Sequence, residues 1–212
     1  RINYSYRDKY LFTVSGRYDG ASRLAAGNKW NLFPSGAVSW RISKEPFMAN
    51  ANAVDELKLR LSYGEAGSQS IGVYNTLGQL SADQAIIGVN QNINTGFAPQ
   101  NFPNPALTWE ISKQFDVGLD MSLNRGRLSF SADYFNRKTE GLFFGRGLPS
   151  VVGTNSLTTT TNIGSVENTG VELEVNSTIV DSGNFTWDVS ANISYIKNKV
   201  LALAENDTIV TG

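Results

Sequence analysis

The sequence predicts an all-β fold: an antiparallel transmembrane β-barrel segment of about eight strands. Three observations carry this. The first is period-two alternation. Across residues 107–144, Trp109, Ile111, Phe115, Val117, Leu119 and Met121 are apolar, whereas Glu110, Ser112, Gln114, Asp116, Gly118 and Asp120 between them are polar or small. Beyond a tight turn at Asn124-Arg125-Gly126, Leu128, Phe130, Ala132 and Tyr134 alternate with Ser129, Ser131, Asp133 and Arg137. The second is length. A run of about fifteen residues at about 3.3 Å each is close to 50 Å, and tilted by about 40° it still rises about 38 Å, more than the roughly 25 Å apolar band of an outer-membrane barrel. The third is the sorting of connections. Turns near Asp8, Asn124 and Gly183 are tight and the one near Pro46 is moderate, while the stretches between these hairpins are long, as in bacterial outer-membrane barrels.

In chain order, Ile2, Tyr4 and Tyr6 alternate with Asn3, Ser5 and Arg7, and a turn at Asp8-Lys9 leads into Tyr10, Phe12, Val14 and Tyr18. Residues 19–33 lack periodicity and read as a loop. Pro34 is expected to open a strand with Val38, Trp40 and Ile42 on its apolar face. A short helical turn is expected over 46–54, since Pro46 and the alanines suit it. Leu57, Leu59, Leu61 and Tyr63 then form a strand opposite Lys58, Arg60, Ser62 and Gly64. Residues 65–106, rich in Gly, Asn, Gln and Ser, read as a long external loop, and 145–160 as a second one. Val171, Leu173, Val175 and Ile179 make the next strand. After a turn at 181–184 the last one carries Trp187, Val189, Ala191, Ile193 and Tyr195. Aromatic residues sort by depth: Tyr6, Tyr10 and Trp187 near the tight turns, and Tyr18, Tyr63, Trp109, Tyr134 and Tyr195 near the loops, implying two girdles.

Composition narrows the functional classes. A formal charge of -1 over 212 residues gives no reason to expect a nucleic-acid partner. Histidine and cysteine are absent, which removes disulfides, Cys or His metal ligands and every Ser-His or Cys-His catalytic arrangement. Neither a catalytic residue, a metal site nor a cofactor is expected. No apolar run approaches the about 18 residues of a membrane helix. The chain starts at Arg1 without a leader pattern, so it is read as processed or as an internal fragment.

Several ordered motifs carry a family resemblance. Arg17-Tyr18-Asp19-Gly20-Ala21-Ser22-Arg23 resembles the R-Y-D-G-S-S-R signature of the SusC/RagA group of TonB-dependent outer-membrane transporters. So do residues 33–42, 57–64 with 67–69 behind them, Asn104-Pro105 through Trp109-Glu110, residues 162–172, and 192–200. The resemblance spans nearly the whole chain. It implies a barrel of about 22 strands closed by an N-terminal plug, importing large nutrients such as glycans or peptides with energy from the inner membrane. It also implies a SusD-type surface lipoprotein as partner, the TonB complex as energy source, and the outer membrane of a Gram-negative bacterium as location. On this reading residues 1–212 are a single segment of barrel wall, with the plug, the TonB-contacting segment and the final strand absent.

Lys58, Arg60, Asp116, Asp120, Asp133, Glu172 and Glu174 are expected to face the water-filled lumen. Lys58 and Arg60 should form a cross-strand ion-pair ladder with Asp116 and Asp120. Glu172 and Glu174, two residues apart, fit solvated lumen charge better than acid-base catalysis. The glycines at 16–20 and 141–147 precede no helix and therefore do not make a phosphate cradle. In the outer loops Trp30, Tyr74 and Phe97 are candidates for stacking on sugar faces, with Asn90, Gln91, Asn92 and Asn94 offering amides.

Three classes follow: a wall segment of an importer, a free-standing small outer-membrane barrel with a structural or adhesive role, and an outer-membrane enzyme limited to Ser-Lys or carboxylate chemistry. Closure separates the first two. An isolated eight-stranded barrel pairs its first strand with its last, whereas a wall segment leaves both edges open.

Overall fold

The computed structural model describes residues 1–87 and 92–203. Its strands are β1 (Ile2–Tyr6), β2 (Tyr10–Gly20), β3 (Trp30–Arg41), β4 (Val54–Ser68), β5 (Leu80–Ile87), β6 (Asn92–Pro99), β7 (Glu110–Leu123), β8 (Leu128–Glu140), β9 (Phe143–Gly147), β10 (Thr158–Asn162), β11 (Ser165–Asp181) and β12 (Thr186–Ala202). Eight of them form one antiparallel sheet in the order β1-β2-β3-β4-β7-β8-β11-β12. The other four make two hairpins, β5-β6 and β9-β10, inside the long connections. Residues 65–106 and 145–160 are therefore not irregular throughout, as the sequence suggested. Each contains a hairpin, because the polar Gln-, Asn- and Thr-rich segments there satisfy their backbone groups by pairing locally.

Register explains the alternation. Leu57 pairs with Met121, Leu59 with Leu119, Leu61 with Val117 and Tyr63 with Phe115, and the same rows continue through Phe130, Ala132 and Tyr134 to Val175, Leu173 and Val171. In these rows the apolar side chains thus fall on one face of the sheet, and Lys58, Arg60, Asp120, Asp133 and Glu172 fall on the other. Among the described residues no second layer covers the apolar face. Leu61 is 44 % exposed, Val14 62 % and Ile193 67 %, which is the wrong arrangement for a sandwich core.

Strand limits depart from the expectation in an instructive way. The loop expected at 19–33 shrinks to 21–29, since β2 runs on to Gly20 and β3 begins at Trp30. Pro34 lies inside β3, opposite Gly16, and does not open it. The β3-β4 ladder starts one residue later at Ser35-Gly64, so the proline, which has no N–H, sits where β3 has only β2 beside it. The short helical turn expected over 46–54 is present as a 3-10 helix at Pro46–Met48, preceded by a second one at Ile42–Lys44. At the hairpin tips Arg7, Asp8, Asn124, Arg125 and Gly126 are left-handed, as tight β-turns demand.

Aromatic rings stack in rows at both ends of the sheet. Tyr6, Tyr10 and Trp40 lie 6.4 and 6.5 Å apart near the tight turns, and Tyr18 stacks on Trp30 at 5.2 Å near the loops. Trp109 leaves the expected girdle: it is 7 % exposed and packs edge-on against Phe33. These two, with Ala21, Leu24, Ile71 and Leu107, form the core found among the described residues. It fills the space past the end of the β3-β4 ladder, under the long loops. Gly67 is required there, because a Cβ would come within 2.6 Å of the Phe33 ring and 2.8 Å of Trp109.

Candidate functional site

Two arrangements have the makings of a site: the polar face of the sheet and the rim of long loops. On the polar face the centre is Arg60. Its Nε donates to Asp120 at 2.8 Å, and its Nη2 donates to Asp120 at 2.9 Å and to Asp133 at 2.8 Å. Asp120 and Asp133 lie on successive strands, so the guanidinium reaches across all of β7. Gly118, the residue opposite Arg60, makes this possible: a Cβ there would lie 2.6 Å from Arg60 Nη2. Ser131 adds bonds to both aspartates, at 3.3 and 3.0 Å.

The expected ladder of Lys58 and Arg60 with Asp116 and Asp120 is only half formed. Lys58 lies 3.9 Å from Asp120. Asp116 does not join; it accepts from Ser62 at 3.1 Å and from Gln114 at 2.7 Å, because its row places Ser62 opposite it rather than a cation. Glu172 sits directly opposite Asp133, and Glu174 opposite Ser131. Glu174 accepts from Asn176 at 2.8 Å.

Sequence reasoning overlooked Arg137 and Phe135. Arg137 Nε donates to Gln114 at 2.7 Å, which fixes the guanidinium over the polar face. Phe135 is an aromatic residue on that largely polar face, and it covers Gly170 on β11 so closely that a Cβ would come within 2.7 Å of the ring. The signal was present as a break in parity, an aromatic between Asp133 and Arg137.

The loop rim is held by side chains bonding to backbone. Arg23 donates to the Ile71 carbonyl at 2.7 Å, Asn28 to Leu107 at 3.2 Å, and Asn104 to Thr160 at 2.8 Å. Asn162 accepts from Thr108 N–H at 2.8 Å and donates to the carbonyls of Thr108 and Gly141 at 3.0 and 2.8 Å. Arg23, Asn104 and Asn162 belong to the sequence motifs singled out above, and all three tie the loops to one another over the Leu107-Trp109 core.

The loop candidates disperse. Trp30 is the first residue of β3, not a loop residue, and stacks on Tyr18. Tyr74 is a left-handed turn residue, 63 % exposed. Phe97 lies on β6 and is exposed. Asn92 begins β6, and Asn90 and Gln91 lie outside the described residues.

At the opposite end, in the turn after β3, Glu45 gathers three donors: Lys9 at 2.9 Å, Tyr10 at 2.8 Å and Trp40 at 3.1 Å. Their hydrogen bonds, that of Lys9 foremost, hold the Glu45 carboxyl below its ordinary range. The aromatic row is thus anchored by its polar tips, as an amphipathic ring at a wet boundary should be.

Comparison with known proteins agrees with this geometry. The family model "TonB dependent receptor-like, beta-barrel" matches residues 1–212. TonB-dependent receptor P3 of Formosa agariphila is 42 % identical over 209 residues, covering 99 % of this chain and 20 % of that protein. TonB-dependent receptor SusC of Bacteroides thetaiotaomicron is 37 % identical over 211 residues, covering 98 % and 21 %. Among solved structures, the RagAB peptide importer in its "closed-closed" state superposes with a TM-score of 0.85 at 27 % identity, over 98 % of this chain and 22 % of that one. The chain spans about a fifth of the length of the curated relatives it matches.

Proposed function

The chain belongs to the TonB dependent receptor-like β-barrel family, and from that premise we propose that it forms part of the wall of an outer-membrane importer for large nutrients, glycan or peptide, in a Gram-negative bacterium. The single observation that carries this is the uncovered apolar face on strands of 13 to 17 residues, β7, β8, β11 and β12. Strands that long suit the apolar thickness of an outer membrane, where lipid takes the place of a second protein layer. The aromatic rows at either end then meet the two headgroup zones.

On this reading Lys58, Arg60, Asp116, Asp120, Asp133, Glu172 and Glu174 line a water-filled lumen. Tyr74 and Phe97, held above it by the clasped loops, meet arriving ligand or a SusD-type surface lipoprotein. The plug and the segment that engages the TonB complex come from the rest of the whole protein. The small free-standing barrel has less support. Among the described residues β1 is bonded only to β2 and β12 only to β11, so the sheet is open at both edges. Such edges call for further strands.

The test is deletion of the gene encoding the whole protein, followed by measurement of growth and labelled uptake on glycans and peptides in turn. Loss of uptake of one class, restored by the gene and abolished by collapsing the proton gradient, supports the reading. Unchanged uptake of every class would sink it.

A further inference from the structure

On the apolar face of the sheet the charges are gathered at one end. A row running Glu65-Lys113-Lys138-Glu167-Lys199 crosses β4, β7, β8, β11 and β12 toward the long loops. The next row inward holds Phe115, Asn136, Thr169 and Lys197, and the one after it Val117, Tyr134, Val171 and Tyr195, where the apolar belt begins. Among the described ladder residues of the eight-stranded sheet, the cations on this face are Lys113, Lys138, Lys197 and Lys199, and all four fall in the two outermost of these rows. At the tight-turn end the same face carries Tyr6, Tyr10, Trp40 and Leu128 instead.

These lysines are incompletely neutralised. Lys113 and Lys138 share a single carboxylate, Glu140, at 2.8 and 2.7 Å. Glu65 accepts from the Tyr63 hydroxyl at 2.7 Å, and Glu167 from the Asn136 amide at 2.9 Å, so these acids are engaged by neutral donors. Lys197 and Lys199 are exposed and have no ion-pair or hydrogen-bond partner among the described residues. Between them and Lys138 stands Thr169, whose hydroxyl oxygen accepts from Asn136 at 3.1 Å and whose hydrogen is left for a further acceptor. The face is turned away from the lumen, so a plug does not cover it. A strand added beside β12 lies alongside these side chains, not over them.

We propose that these two rows bind a phosphorylated glycolipid of the outer leaflet, one phosphate against Lys197, Lys199 and Thr169, a second against Lys113 and Lys138, and its acyl chains on the apolar belt. A cation bordering an apolar belt meets lipid headgroups, and the loop end of such a barrel lies in the outer leaflet. Lys138 and Lys199 stand two strand spacings apart in one row, about 10 Å, which suits a headgroup with a phosphate at each end. A phospholipid with one phosphate engages only one pair of lysines. Below the lysines Val171, Leu173 and Ile193 continue the path for the chains. The assignment rests on the lipid-facing part of the importer reading and goes beyond it, since the ligand is a lipid of the wall and not cargo.

The experiment uses the whole protein in detergent, with bound lipid counted by native mass spectrometry as diphosphoryl lipid A, enzymatically dephosphorylated lipid A or phosphatidylglycerol is titrated in. Diphosphoryl lipid A should bind best, and removal of its phosphates should weaken it about tenfold or more, since each lysine near a lipid phosphate contributes about fivefold. Phosphatidylglycerol should fall between the two. In Lys197→Gln/Lys199→Gln diphosphoryl lipid A should lose about tenfold while the dephosphorylated form is unaffected. The comparison of lipids on the unaltered protein decides the point should the variant fail to fold. Equal binding with and without phosphates, phosphatidylglycerol binding as tightly as diphosphoryl lipid A, or an unchanged affinity in the double variant would each overturn the assignment. Labelled nutrient uptake by cells carrying the unaltered protein, measured in parallel, tells failure of this site from failure of the importer reading.

Discussion

Arg60 on β4 and Asp133 on β8 are bonded at 2.8 Å although a complete strand, β7, separates them. The bond exists because the intervening position in their row is Gly118. Replacing Gly118 with alanine usually strengthens a strand, since glycine is the entropically costlier residue. Here the added methyl meets Arg60 and Asp133. Gly118→Ala should therefore destabilise the whole barrel by roughly 1–3 kcal/mol in urea unfolding, the cost of a lost charged hydrogen bond. In an Arg60→Gln background the same change should cost little. Equal costs in both backgrounds would show that the glycine serves something other than this bridge.

The Glu45 anchor predicts a pH dependence. Its carboxyl is held below the ordinary value of 4.5 by Lys9, Tyr10 and Trp40. A carboxylate whose folded pKa is lowered contributes stability that is fully present above the unfolded pKa and is lost as pH falls through the folded one. Glu45→Gln should thus lower the urea midpoint at pH 7, and its difference from the unaltered protein should close as pH drops below about 4. A difference that stayed constant down to pH 2 would separate the residue from this titration.

Charge on the apolar face discriminates lipid from water. Val117 lies in the row of Leu61 and Tyr134, near the middle of β7. Val117→Arg should cost roughly 2–4 kcal/mol for folding into lipid bilayers, against well under about 1 kcal/mol for Ser129→Arg on the polar face. Similar costs for the two would contradict a lipid-facing assignment.

Asn162 clasps the loops through three bonds to Thr108 and Gly141. Asn162→Ala leaves the Thr108 N–H without its acceptor and should loosen the rim by about 1–3 kcal/mol without unfolding the strands. Protease added to intact cells should then cut within 100–109 or 145–157 several times faster, while the band remains heat-modifiable on gels. Unchanged cleavage would mean that the Trp109 cluster alone holds the loops.

The eight strands of the sheet, their order of hairpins and the face taken by most of their residues were legible in the sequence, because side-chain parity in a strand is fixed at two whatever surrounds it. So was the sorting of short turns from long loops. Tertiary structure decided what parity cannot state: which rows are brought level. Only register shows that Asp116 meets Ser62 instead of a lysine, that Gly118 lets Arg60 reach a second aspartate, and that Phe135 lies opposite Gly170 while Asp133 faces Glu172. The buried Trp109 was hidden for the same reason, since its contact with Phe33 joins segments far apart in the chain and the alternation of a single strand carries no record of its partner. The hairpins inside the long connections were hidden for another: their strands pair locally but are short and largely polar, and carry no sustained apolar alternation.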